Sequence, residues 1–140
     1  MGSQTKGRKK KPEKRGLRVG VCVPCFATVP ALFAYDLAQM VGFTGSTAVL
    51  DGSFDGLGLN FLSGTYVHMA RQQLAEFAVA SGLDYVLWLD SDMRFPKDLL
   101  FRLLAHNEAF VGINYASRTV PPDFVALKRI GTSPEDMGEK

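Results

Sequence analysis

Two aspartates two positions apart, Asp90 and Asp92, follow directly on the uninterrupted apolar run Tyr85-Val86-Leu87-Trp88-Leu89. Paired carboxylates are hard oxygen donors, and with a diphosphate to share the coordination they suit Mg²⁺ or Mn²⁺. A run of large and β-branched residues without polar interruption reads as a strand buried on both faces, the kind found in a parallel sheet covered by helices. Such sheets bind ligands outside the carboxyl ends of their strands, where this pair stands. On locally extended backbone, side chains two apart point the same way, so Asp90 and Asp92 are expected to share one cation. The competing reading of an Asp-x-Asp is structural: either residue caps the turn or the helix that follows.

Other chemistry-bearing residues are few. Cys22-Val23-Pro24-Cys25 has the spacing of a redox pair at a helix start. Cys22, however, falls inside the Val19, Val21, Val23 alternation of a strand, so small residues buried at a strand end are the preferred reading. Two cysteines with no further ligand pair exclude a structural zinc site on count. Neither G-x-G-x-x-G nor G-x-x-x-x-G-K-[ST] occurs, which removes the usual support for a dinucleotide cofactor or a P-loop NTPase. His68 and His106 fall on a helix face and at a helix end and mark no site.

The 140 residues are expected to form one domain, and a 46% hydrophobic content suffices for a core. The formal charge of +2 conceals an asymmetry. Lys6, Arg8, Lys9, Lys10, Lys11, Lys14, Arg15 and Arg18 face only Glu13, whereas the remainder of the chain is net acidic. Residues 1–17 offer no aromatic residue for base stacking and no apolar face for membrane insertion. They are expected to form a basic, solvated and disordered leader, open to an anionic partner. Lys6 stands where a myristoylation motif wants Ser or Thr. The uncharged stretch 19–35 behind that leader has the outline of a secretory signal, but Pro24 and Pro30 break it and it is too short for a membrane span. No span, and by default a cytoplasmic location, are therefore expected.

Around the Asp-tipped strand the pattern alternates. After a first strand, Thr28 is expected to cap a helix with Pro30 near its first turn, carrying Leu32, Phe33, Leu37 and Met40 and stopped by Gly42. Residues 47–50 read as a short strand delivering Asp51-Gly52-Ser53-Phe54-Asp55-Gly56 into a Gly-rich loop that extends to about Asn60. Ser63 or Thr65 opens a second helix, with Tyr66, Ala70, Leu74, Phe77 and Ala78 on one face and Gly82 as its stop. Pro96 starts a short helix through Leu99, Leu100, Leu103 and Leu104, residues 109–115 read as another strand, and Pro121-Pro122 ends the regular pattern. The alternation predicts an α/β, Rossmann-like fold with a mostly parallel open sheet flanked by helices. The polar stretches 24–28, 51–55, 90–92 and 114–118 then fall at strand ends and are expected to converge on one edge. Arg71, Arg94 and Arg118 are the candidates there to hold a diphosphate.

Residues 18–26 (RVGVCVPCF), residues 49–56 (VLDGSFDG), Ala70-Arg71-Gln72, and the stretch from Gly82-Leu83-Asp84-Tyr85 through LWLDSDM carry a family likeness. Together they resemble the nucleotide-sugar-binding half of a GT-A glycosyltransferase, above all the inverting family 2 group and the short glycosyltransferase-like proteins of phages and bacteria. The resemblance covers roughly residues 18–120 and is most specific over the last stretch. It implies a metal-dependent enzyme that takes a nucleotide-diphospho-sugar, commonly a UDP-sugar, and passes the sugar to an acceptor hydroxyl. It also implies that Pro24 and Cys25 line the nucleotide pocket, that Asp51 contacts the base, that Asp90 touches the ribose or a metal-bound water, and that Asp92 coordinates the Mn²⁺ or Mg²⁺. Gln72 departs from the family's Asn, and the segment between Asp55 and Arg71 is shorter than the family's. Members continue into an acceptor-binding half that supplies the catalytic base. Beyond Arg118 this chain offers Asp123, Glu135 and Asp136, with Asp123 the candidate base, in a Pro- and Gly-punctuated stretch, 121–140, that reads as a polar tail or the start of a truncated acceptor region.

Two rival readings remain at this level. Haloacid-dehalogenase phosphatases also place Asp-x-Asp after an apolar strand, with the first Asp as nucleophile, but they want Thr or Val where Arg94 stands. A non-catalytic α/β interaction module, tethered to nucleic acid or a virion surface by its basic leader, would explain the short length and the leader without needing the paired aspartates.

Overall fold

A computed structural model describes residues 15–115. The order is β1 (Leu17–Pro24), α1 (Ala31–Thr44), a π-helical segment (Gly45–Val49), β2 (Phe54–Leu62), α2 (Val67–Ala80), β3 (Tyr85–Trp88) and α3 (Leu99–Leu104). Residues 1–14, Arg118, Asp123, Glu135, Asp136 and the tail 121–140 lie outside the described residues. The expected architecture is the observed one: the three strands form an open, all-parallel sheet in the order β2-β1-β3, flanked by helices.

Alternation in β1 explains its central place. Val19, Val21 and Val23 are β-branched, lie on one face and are fully buried. The strand pairs on both sides, Val19 with Leu57 in β2 and with Tyr85 in β3. On the valine face, α1 lays down Phe33, Leu37 and Met40 at helical spacing, and Leu87, Leu89, Leu99 and Leu100 complete the cluster. Burial of a side chain the size of Phe33 or Met40 stabilises the fold by about 1.5–3 kcal/mol. The buried residues of α2 are Ala70, Leu74 and Ala78, outside this cluster. Gly20 pairs with Gly58, and a Cβ on Gly20 would collide with the Leu83 side chain, so that part of the sheet is built from small residues under close cover.

Several expectations are corrected. Residues 47–49 are helical and Leu50 caps them, so 47–50 is not a strand: Thr47 and Ser46 hydroxyls donate to the Phe43 carbonyl at 2.7 and 3.1 Å, and the chain stays helical past Gly42. The expected Gly-rich loop is β2, since Gly56 and Gly58 sit in the ladder against β1. Residues 109–115 pair into no strand among the described residues. On α2, Tyr66 and Phe77 are exposed. The strand β3 is not buried on both faces: Trp88 is 40% exposed, and among the described residues β3 lies at the sheet edge.

Candidate functional site

The chain leaves β1 for β2 on one side and then crosses back over to β3 on the other, so the carboxyl ends of β1 and β3 are neighbours. In open parallel sheets ligands bind in a crevice outside the carboxyl ends of the strands. Its two walls here are the end of β1 and the end of β3, joined where the Leu89 amide donates to the Cys22 carbonyl at 3.1 Å. Asp90-Ser91-Asp92 leaves from that junction.

Backbone at the tip is a turn, not the extended chain expected: the Met93 amide donates to the Asp90 carbonyl at 3.2 Å, which places both aspartates on one four-residue turn. Both are solvent-exposed. Neither caps the helix that follows, because the N-cap position of α3 belongs to Asp98. Arg71, one turn into α2, donates from Nη2 to Asp90 Oδ1 at 2.8 Å. The α2 start stands at this edge because α2 follows the carboxyl end of β2 and runs back along the sheet.

The two other cofactor candidates, Pro24 and Cys25, stand at the carboxyl end of β1, Pro24 buried as its last residue and Cys25 half-buried just beyond it. The Cys25 amide and thiol both reach the Leu62 carbonyl, at 3.0 and 3.8 Å, tying the ends of β1 and β2 together. Cys22 and Cys25 are free thiols. Burial pushes the Cys22 thiol up, opposed by a hydrogen bond involving Asn60, which leaves it a packed residue and not a ready nucleophile.

Asp51 is not brought to this site. It precedes β2, whose amino end adjoins Leu17 at the start of β1, and strands of this length hold the two edges roughly 20 Å or more apart. There its Oδ1 accepts the Ser53 amide at 2.8 Å, and hydrogen bonds from the Ser53 side chain and amide hold its carboxyl below the usual range. The same edge carries Asp84, which accepts the Arg18 amide and pairs with Arg15, so the chain is engaged in the fold from within the expected leader. Those contacts, the Arg18 amide first, likewise lower the Asp84 carboxyl.

Of the three arginines expected to serve a diphosphate, Arg94 has other work. Its Nε and Nη2 both donate to Asp36 on α1, the second at 3.1 Å, and the Phe95 amide donates to the same carboxylate at 3.2 Å. Asp36 is only 7% exposed, and the Arg94 hydrogen bonds hold its carboxyl well below the usual range. With the Phe33 and Phe95 rings edge to face at 5.7 Å, this clamp fixes the loop that carries Asp92 against α1. Sequence reasoning missed Asp36, although a lone charge in the apolar helix ALFAYDLAQMVGFT was the available signal. It also passed over Phe26 and Tyr66, exposed aromatics in the loop after β1 and at the start of α2, both at the carboxyl edge.

Comparison of the chain with family models, curated proteins and solved structures gives no match. Its own residues must carry the functional reading.

Among the described residues no group of three or more His, Cys, Asp or Glu side chains could hold a metal ion. A resident all-protein cage is therefore not what Asp90 and Asp92 make. Two exposed carboxylates do fit Mg²⁺ or Mn²⁺ of the kind that takes one or two protein oxygens and completes its shell with water and substrate phosphates. An apolar cleft of about 400 Å³ runs along β3 and α3, with Leu87, Leu100, Leu103 and Phe110 in its wall and Asp90 at its margin. Such a lining suits no diphosphate, which leaves the polar tip as the candidate site.

Proposed function

We propose that the carboxyl edge binds a nucleotide-diphospho-sugar, of the UDP-sugar type, together with Mn²⁺ or Mg²⁺, and that the protein is a glycosyltransferase acting on an acceptor hydroxyl. The observation that carries this reading is an Asp-x-Asp turn set at the β1/β3 crevice with Arg71 beside it. Asp90 and Asp92 are the residues to hold the cation, which when bound neutralises charge on the departing nucleoside diphosphate. Arg71 is the cationic side chain within reach of that charge. Cys25, half-buried just past the buried end of β1 at Pro24, is the candidate for the opposite wall, Phe26 and Tyr66 offer faces on which a base can stack, and the Asp36–Arg94 clamp holds the Asp92 loop in place.

Calorimetric titration of UDP, GDP and their sugars with Mn²⁺, then with EDTA, tests the reading. Binding should require the metal and vanish in Asp92→Ala, whose thermal unfolding should stay close to that of wild type because interactions of an exposed carboxylate add little to stability. Absence of binding under every condition would refute it. A second reading, a non-catalytic interaction module, is favoured by Leu59 and Phe61, apolar and exposed on β2, which lies at the sheet edge among the described residues. For that module Asp92→Ala should leave partner binding unchanged.

A further inference from the structure

Arg94–Asp36 and Arg71–Asp90 are both Arg–Asp pairs near the carboxyl edge, and they are built differently. Asp36 is nearly buried and takes Arg94 together with a backbone amide, so breaking that pair would strand a carboxylate inside the fold. Arg71 and Asp90 are joined by one hydrogen bond, and each side chain is 51% exposed. An exposed pair of that kind adds little to stability, because both partners are nearly as well off in water. Its guanidinium nevertheless sits on the carboxylate that the donor site needs. A divalent cation arriving alone must compete with it, while a diphosphate presents the acceptor oxygens that a guanidinium fork prefers.

From this contrast, and resting on the donor-site reading above, we propose that Arg71 is an exchange residue: it neutralises Asp90 in the absence of ligand and passes to the diphosphate when a divalent cation takes the carboxylate. Arg71 then opposes binding of the cation alone and favours binding of cation and diphosphate together. The device couples the cation to the nucleotide, so each binds more tightly when the other is present. An arginine that served only the fold would do neither, and one that only bound phosphate would not affect the cation alone.

The test is Mn²⁺ binding, followed by the paramagnetic resonance signal of free Mn²⁺, for wild type, Arg71→Ala and Arg71→Lys, each without nucleotide and with UDP or GDP. Without nucleotide, Arg71→Ala should bind Mn²⁺ about three- to fivefold more tightly than wild type, the scale of one exposed ion pair removed. With nucleotide, the same variant should bind the Mn²⁺ complex about tenfold more weakly. Arg71→Lys keeps the charge without the fork and should fall between wild type and Arg71→Ala in both assays. Equal or weaker Mn²⁺ binding by Arg71→Ala without nucleotide overturns the exchange role, even where wild type binds Mn²⁺ and nucleotide and the donor site stands. Loss of Mn²⁺ binding in all three proteins, with and without either nucleotide, overturns the donor-site reading and the exchange role together.

Discussion

Asp36 and Asp90 present the same group to the same kind of partner, yet only the first is committed to the fold. The Arg94 hydrogen bonds, helped by the Phe95 amide and opposed by desolvation, lower the Asp36 carboxyl. A lowered carboxyl contributes stability that is present above its unfolded value, about pH 4, and is lost as pH falls through the folded value. Wild type should therefore have a higher Tm than Asp36→Asn at pH 7, and the gap should close on acidification below about pH 4. A gap that stays constant down to about pH 2 would show that the charge on Asp36 is not what matters. Thr44 gives the opposite case. It is fully buried and its hydroxyl oxygen has no hydrogen-bond partner among the described residues, so Thr44→Val, close in shape, should stabilise by about 1 kcal/mol in chemical denaturation.

At the scale of elements, β1 is the only strand paired on both sides among the described residues, and its amides should be the slowest to exchange with deuterium, ahead of β2 and β3. Its start is tightly fitted. A Cβ on Gly16 would meet the Asp55 amide nitrogen at 2.6 Å and the Phe54 carbonyl carbon at 2.8 Å, both backbone atoms that cannot swing aside. Gly16→Ala should cost about 1–3 kcal/mol in chemical denaturation, and Gly20→Ala less, because its obstacle is the movable end of Leu83. The elements that could be read in advance were those with a clear period: the valines of β1, α2 as a helix with Ala70, Leu74 and Ala78 inward though not Tyr66 and Phe77, and β3 as a strand though not one buried on both faces. The Asp-x-Asp and its delivery to the carboxyl edge were legible with them. Residues 45–62 were not. Ser46, Thr47 and Val49 fit helix and strand alike until the Ser46 and Thr47 hydroxyls find the Phe43 carbonyl, and Gly56 and Gly58 look like loop until Arg18 and Gly20 are known to lie beside them. Shifting the strand to that position moved Asp51 to the far edge. The Asp36 clamp joins residues far apart in sequence, which no local pattern reveals.

Over the whole molecule, charge and shape divide the labour. The amino edge of the sheet is tied by Arg15, Asp84, Asp55 and Gly16, and at the carboxyl edge Asp90, Asp92 and Arg71 are exposed. No helix among the described residues is long and apolar enough to cross a membrane. The central place of β1 has a further consequence during synthesis. The strand leaves the ribosome ahead of both its neighbours, but Val19 must wait for Leu57 on one side and for Tyr85 on the other. Until then its valines have no sheet to join, and such non-local pairing is slow to reward the chain. Nascent chains arrested before Tyr85 emerges should be digested readily by protease, and those arrested after Leu104 should resist. The strand on which the crevice is built would thus be the longest exposed to the wrong partner, a task for chaperones before it is one for ligands.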